Sequence, residues 1–169
     1  MLSNDAHVGR LARDAVVLAH QAIVSTVACA LVGSQCSKTH IVPVPVDRGF
    51  NSLARPVDLQ LDIYLEVYPE DRPFVVDMDE FMYELPPNSS VSSPFGWTVF
   101  MSVHRNPNFN RLVPLYPRAD LLPSAVRGSF LIVKSSPSGI AVDVEDHDLP
   151  IIKEVIIECL LSRAPRTGS

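Results

Sequence analysis

No G-x-G-x-x-G and no phosphate-binding loop motif occurs in the 169 residues, so a nucleotide held by a glycine-rich backbone cradle has no support. No G-x-S-x-G elbow occurs either, which removes the sequence signature of an α/β-hydrolase nucleophile. The three cysteines, Cys29, Cys36 and Cys159, are odd in number and widely spaced. With no CxxC pair to indicate zinc or a redox dithiol, they are expected as free thiols in a reducing compartment. There is no fixed-period repeat and no low-complexity tract. Positive charge is also scarce: 14 Lys and Arg against 19 Asp and Glu leave a net charge of −5. That balance speaks against nucleic-acid and anionic-membrane partners, which are held by cationic surface.

What is present is apolar and proline-rich. Hydrophobic residues make up 47% and charged residues 20%, a globular composition. A chain of this length fits one domain, residues 1–169, burying roughly 70% of the surface that its unfolded form exposes. The fifteen prolines cluster between the apolar runs, where they end elements and stiffen loops.

From Ala6 to Val32 the segment is apolar, with Arg10, Arg13, Asp14, His20, Gln21 and Ser25 recurring at three- and four-residue intervals. This predicts a long helix with one narrow polar stripe, ending near Gly33. Two alternatives attach to it. Arg10 and Arg13 ahead of an apolar run ending in small residues could mark residues 10–34 as a signal or anchor. The β-branched Ile23-Val24-Ser25-Thr26-Val27 could instead be strand, ending the helix early. His40 to Val46 alternates Val with Pro and reads as an edge strand or an extended polyproline-like segment.

Leu59 to Val67 alternates strictly and predicts a half-buried strand. Phe74 to Leu85 is expected as strand too, and Trp97 to His104 puts Trp97, Val99, Met101 and Val103 on a core side. Arg105 to Gly128 is the least regular part. Its length without regular structure points to binding or to packing against the core.

The C-terminal unit carries the clearest signals. Phe130 to Lys134 is a short apolar strand, Ser135 to Gly139 a turn, and Ile140 to Glu145 alternates, together a β-hairpin. Asp148 as cap, Pro150 in the first turn and Ile151, Ile152, Val155, Ile156 and Leu160 at helical spacing predict an amphipathic helix from about Leu149 to Ser162. The order Gly128 to Lys134, turn, Val142-Asp143-Val144, acidic residue, helix, following Val99 to Ser102, resembles a pattern in short uncharacterised proteins of mushroom-forming fungi. The resemblance implies no activity and assigns no site residue.

Candidate chemistry is sparse. The acidic run Asp143, Glu145, Asp146, His147, Asp148 has the composition of a divalent-cation site, but the strand and cap positions account for it. Cys36 falls in a flexible loop and could be reactive, but a thiol needs a lowered pKa for that and no neighbour in sequence supplies it. His104 and Arg105 at a strand end, with Arg111 beyond them, are the candidate ligand-binding residues of a pocket under the Arg105 to Gly128 loop. The arginines 105, 111, 118 and 127 are expected to pair with the domain's carboxylates.

The expected fold is α+β: an N-terminal helix, a mainly antiparallel sheet of five or six strands, and a C-terminal helix packed on one face. No cofactor and no metal are expected. The expected function is a non-enzymatic interaction or assembly module, cytoplasmic, joining a protein partner or, as a homodimer, a second copy through an apolar helix or sheet face. A small hydrolase or ligand-binding domain using His104 and Arg105 is the alternative from another class, and a membrane-anchored or secreted domain using residues 10–34 is a third.

Overall fold

The computed structural model describes residues 4–22, 25–46, 82–84, 93–101, 108–122 and 124–163. Helix α1 (Asp5–Ala22) begins with Asp5 in its first turn, where the helix dipole favours negative charge. Val8 and Ala15 are buried and Leu11 packs between them, while Val16 and Val17 face outwards. The helix expected to reach residue 33 ends at Ala22, and Ser25–Val32 is strand β1. Strand pairing explains the break: Ser25 to Leu31, the β-branched Thr26 and Val27 among them, pair with β2, and Ala30 to Val32 also pair with β5, which rewards extended backbone more than helix. The end of that apolar run, Ala28 to Val32, thus lies inside the sheet. No helix among the described residues is long and apolar enough to cross a membrane.

The remaining elements are β2 (His40–Val46), β3 (Met82–Glu84), β4 (Gly96–Met101), β5 (Phe130–Ser135), β6 (Ala141–Val142) and α2 (Leu149–Arg163). The fold is α+β, an open antiparallel sheet in the order β2-β1-β5-β4-β3 between an N-terminal and a C-terminal helix. The strand expected over 59–67, the residues 74–81 and the end of the Trp97 to His104 run lie outside the described residues.

Strand β6 pairs with the end of β5, through Lys134 opposite Val142, while β1 pairs only with Phe130 to Ile132 of β5. The chain after β6 then crosses to β1. Ala28 N–H donates to Asp143 Oδ1 at 2.8 Å, and Ala28 C=O accepts from Val144 N–H at 2.8 Å. This explains why the predicted six-residue strand from Ile140 is shorter than its alternation suggests: half of it serves β1 rather than β5.

The same bonds fix the orientation of β2. Ala28 turns its polar groups away from β2, so Pro43 opposite it, and Pro45 two residues on, point their nitrogens to the outer side of the sheet. The alternating prolines remove no ladder bond, and the edge-strand expectation holds.

Residues directly opposite one another share a face. Val32, Phe130 and Met101 form one such row, as do Lys134 and Trp97, and Cys159 Sγ of α2 lies 3.8 Å from Met101 Sδ, so α2 covers this face. Leu31, Cys29 and Val27 look the other way with His40, Val42 and Val44, where α1 lies against β2 and β1. Phe130 to Val133 are all buried because both faces of β5 are covered. In α2, Ile152, Val155, Ile156, Ile157 and Cys159 are buried, each aliphatic side chain contributing roughly 1.5–3 kcal/mol. The apolar surface is therefore wider than the predicted stripe, since Ile157 is buried too.

The cap of α2 lies one turn earlier than Asp148. A 3₁₀ turn, Asp146–Asp148, leads directly into the helix. Asp148 N–H donates to Glu145 C=O, and Glu145 N–H donates to Asp148 Oδ2 at 2.9 Å.

Candidate functional site

Two places in the described residues gather polar chemistry beyond what the elements themselves require, and a third joins an irregular segment to the helix α2.

At the corner where α1 meets the β1–β2 hairpin, Asp5, Cys36 and His40 converge. A tight turn follows β1, with Cys36 N–H donating to Gly33 C=O and Gln35 in the left-handed region at φ 64. This turn brings Cys36 under the first turn of α1, and β2 starts at His40. His40 Nε2 lies 2.6 Å from Asp5 Oδ1. Ser37 donates to the same carboxylate from its N–H, 3.2 Å from Oδ1, and from its hydroxyl to Oδ2. Ligand atoms of Asp5, Cys36 and His40 all lie within 4.8 Å of one another. Burial, the Asp5 charge and a bond from the S–H to that carboxylate push the Cys36 thiol up to about 12. Cys36 was expected in an open, flexible loop; it is 1% exposed, and as a free thiol it is a poor nucleophile.

On the other face of the sheet, Lys134 and Asp148 form a buried ion pair. Nζ lies 2.8 Å from Oδ2 and 3.1 Å from Oδ1, and 4.2 Å from the centre of the Phe95 ring. Burial alone would raise the Asp148 carboxyl, but the Lys134 bonds and the Glu145 N–H outweigh it and hold the carboxyl below its usual range.

The segment 108–122 is irregular in shape yet tightly held. Asn110, 2% exposed, donates both amide hydrogens, to Val32 C=O (3.1 Å) and Gly128 C=O (2.9 Å). Its Oδ1 accepts from Leu112 N–H (3.0 Å) and Val113 N–H (3.1 Å). One side chain thereby satisfies backbone from β1, from the loop before β5 and from the 3₁₀ turn Val113–Leu115. Gly128, at φ 80, donates back to Asn108 C=O, and the φ explains why glycine stands there. Val113 and Tyr116 are buried beneath, and Arg118 reaches Glu158 of α2 at 2.6 Å. Leu115 and Leu121 stand out from this frame, 78% and 55% exposed.

Of the residues singled out from sequence, His104 and Arg105 lie outside the described residues. Arg111 is exposed on the strapped segment. Arg118 pairs with a carboxylate as expected, and Arg127 stacks 3.9 Å over Phe109. The acidic run is divided: Asp143 binds Ala28 and Asp148 binds Lys134, while exposed His147 lies 3.3 Å from exposed Glu145 and 3.6 Å from Asp148. Sequence reading passed over Asp5, His40, Asn110 and Lys134. The only local signal was the Cys36-x-x-x-His40 spacing, since Asp5 stands 35 residues from His40 in the chain. Comparison of the chain with protein-family models, with curated proteins and with solved structures finds no match.

Proposed function

We propose that the protein is a non-enzymatic interaction module whose contact surface is the strapped segment 110–122. The observation that supports this reading is the pair Leu115 and Leu121, held out on 3₁₀ turns whose backbone is already fixed by Asn110 and by the Arg118–Glu158 pair. Large aliphatic side chains displayed on an ordered backbone lose little further conformational entropy on docking. The occupant this fits is a protein surface with an apolar groove, a second copy of the chain included. The ligand-pocket alternative has only Arg111 among the described residues.

A photo-reactive amino acid placed at 115 or 121 of the full chain in its own cells, beside one at exposed Ser138, tests the assignment. Discrete cross-linked species at 115 and 121, absent at 138 and competed by unlabelled protein but not by an L115D/L121D form, are expected. Equal, featureless labelling at all of these positions would refute it. Light scattering of the cross-linked species then separates self-association from a different partner.

A further inference from the structure

We infer that Asp5, Cys36 and His40 form a binding site for a single transition-metal dication of the Zn²⁺ class, which ties the start of α1 to the β1–β2 hairpin. One thiolate, one imidazole and one carboxylate are a mixed S, N, O set; it suits Zn²⁺ and excludes Ca²⁺ and Mg²⁺, which take oxygen ligands. Atoms bound at about 2.0–2.3 Å to one tetrahedral ion stand roughly 3.3–3.8 Å apart. Asp5 and His40 stand closer than that, at 2.6 Å, and no ligand atom of the trio is more than 4.8 Å from another. Small side-chain rotations therefore convert the set from hydrogen-bonded to ion-bound.

The three ligands come from three different pieces of backbone: the first turn of α1, the Gly33 to Cys36 turn and the first residue of β2. Their convergence is thus a property of the tertiary fold. Ser37 N–H and Oγ hydrogen-bond both oxygens of the Asp5 carboxylate, the supporting contact that ligating carboxylates usually have. The His40 and Asp5 side chains are 15% and 25% exposed, so the site has a route to solvent, and a water completes four-coordination. Binding replaces the thiol S–H by an S–metal bond, and the proton leaves to solvent. This site is independent of the interaction surface proposed above, which lies on the segment 110–122.

The test uses the full chain, stripped with a chelator and titrated with ZnCl₂ by calorimetry and with Co²⁺ by absorption. One ion per chain is expected, with a thiolate-to-cobalt charge-transfer band in the near ultraviolet and intense visible bands of tetrahedral Co²⁺. Cys36→Ser abolishes the charge-transfer band. Cys36→Ser and His40→Ala each weaken Zn²⁺ by more than the roughly 10–100-fold that loss of a supporting residue costs. Glu145→Gln/His147→Ala, which alters the exposed pair elsewhere, leaves the affinity unchanged. If circular dichroism shows that Cys36→Ser does not fold, His40→Ala, at the partly exposed ligand, carries the comparison. No binding, a Co²⁺ complex without the thiolate band, or wild-type affinity in a folded His40→Ala overturns the assignment.

Discussion

Replacing Lys134 by methionine, which keeps the length of the side chain and removes its charge, strands the Asp148 carboxylate in a position only 4% exposed. At 2.8 Å and an effective dielectric constant of about 20, the direct attraction lost is about 6 kcal/mol. Much of that only offsets the several kcal/mol per ion needed to remove both groups from water. The single change is therefore expected to cost about 3–5 kcal/mol, because an unpaired charge stays buried. For a chain of this size that corresponds to a fall in melting temperature of about 6–20 °C. Asp148→Leu strands Lys134 in the same way and also removes the acceptor of Glu145 N–H. The double variant Lys134→Met/Asp148→Leu strands neither charge and is expected within about 1–2 kcal/mol of the parent, where additivity would give about 6–10. Urea unfolding at neutral pH, read as midpoint shifts at constant slope, measures all three. A double variant as unstable as the sum of the singles would show that the two groups act separately, and the account of this face would fall.

Acid adds a second reading of the same pair. The Asp148 carboxyl is held below its usual range when folded, so its contribution is complete above the unfolded value of about 3.9 and is lost as pH falls through the lower folded value. Stability of the parent should decline more steeply below about pH 4 than that of the Lys134→Met/Asp148→Leu variant, and parallel acid limbs in a pH series of urea midpoints would contradict this. Asn110→Ala leaves buried carbonyls and amides without partners and is expected to cost about 3 kcal/mol, with faster hydrogen exchange at Leu112 and Val113; a loss below about 1 kcal/mol would refute the bracing role. Asn110→Asp should cost no less, because a carboxylate oxygen would then face the Val32 and Gly128 carbonyls.

The parts of this fold that sequence discloses are those built from local patterns. The β5–β6 turn and α2 follow from Ser135 to Gly139 and from the spacing of Ile152, Val155 and Ile156, and all of these signals act within a few residues. The first failure, the helix that stops at Ala22, comes from a segment whose apolar residues suit either element. Its outcome is set by pairing, with β2 along Ser25 to Leu31 and with the distant β5 only at Ala30 to Val32. The cap is displaced for a related reason: Asp148 closes the turn Asp146–Asp148 rather than preceding the helix, and its carboxylate is shared between Glu145 N–H and Lys134. Asn110 sits among prolines in a stretch with no period to read, so its bonds to Val32 and Gly128 are invisible until the fold places those carbonyls around it. Asp5 has the same standing, an ordinary first-turn carboxylate until Cys36 and His40 arrive beside it.

The pairing of β1 with β5 also sets the order in which the molecule can be completed during synthesis. Ala30 lies opposite Ile132, so one whole edge of β1 must wait for roughly a hundred further residues to leave the ribosome. Its last backbone needs, at Ala28, are met later still, by Asp143 and Val144. Until then α1, β1 and β2 form a hairpin-like unit with the β5 edge of β1 unpaired and with Ala30 and Val32 uncovered on the face away from α1, a state in which a nascent chain is exposed to mispairing. An ion held by Asp5, Cys36 and His40 would act within this early unit, since all of its ligands lie in the first 40 residues.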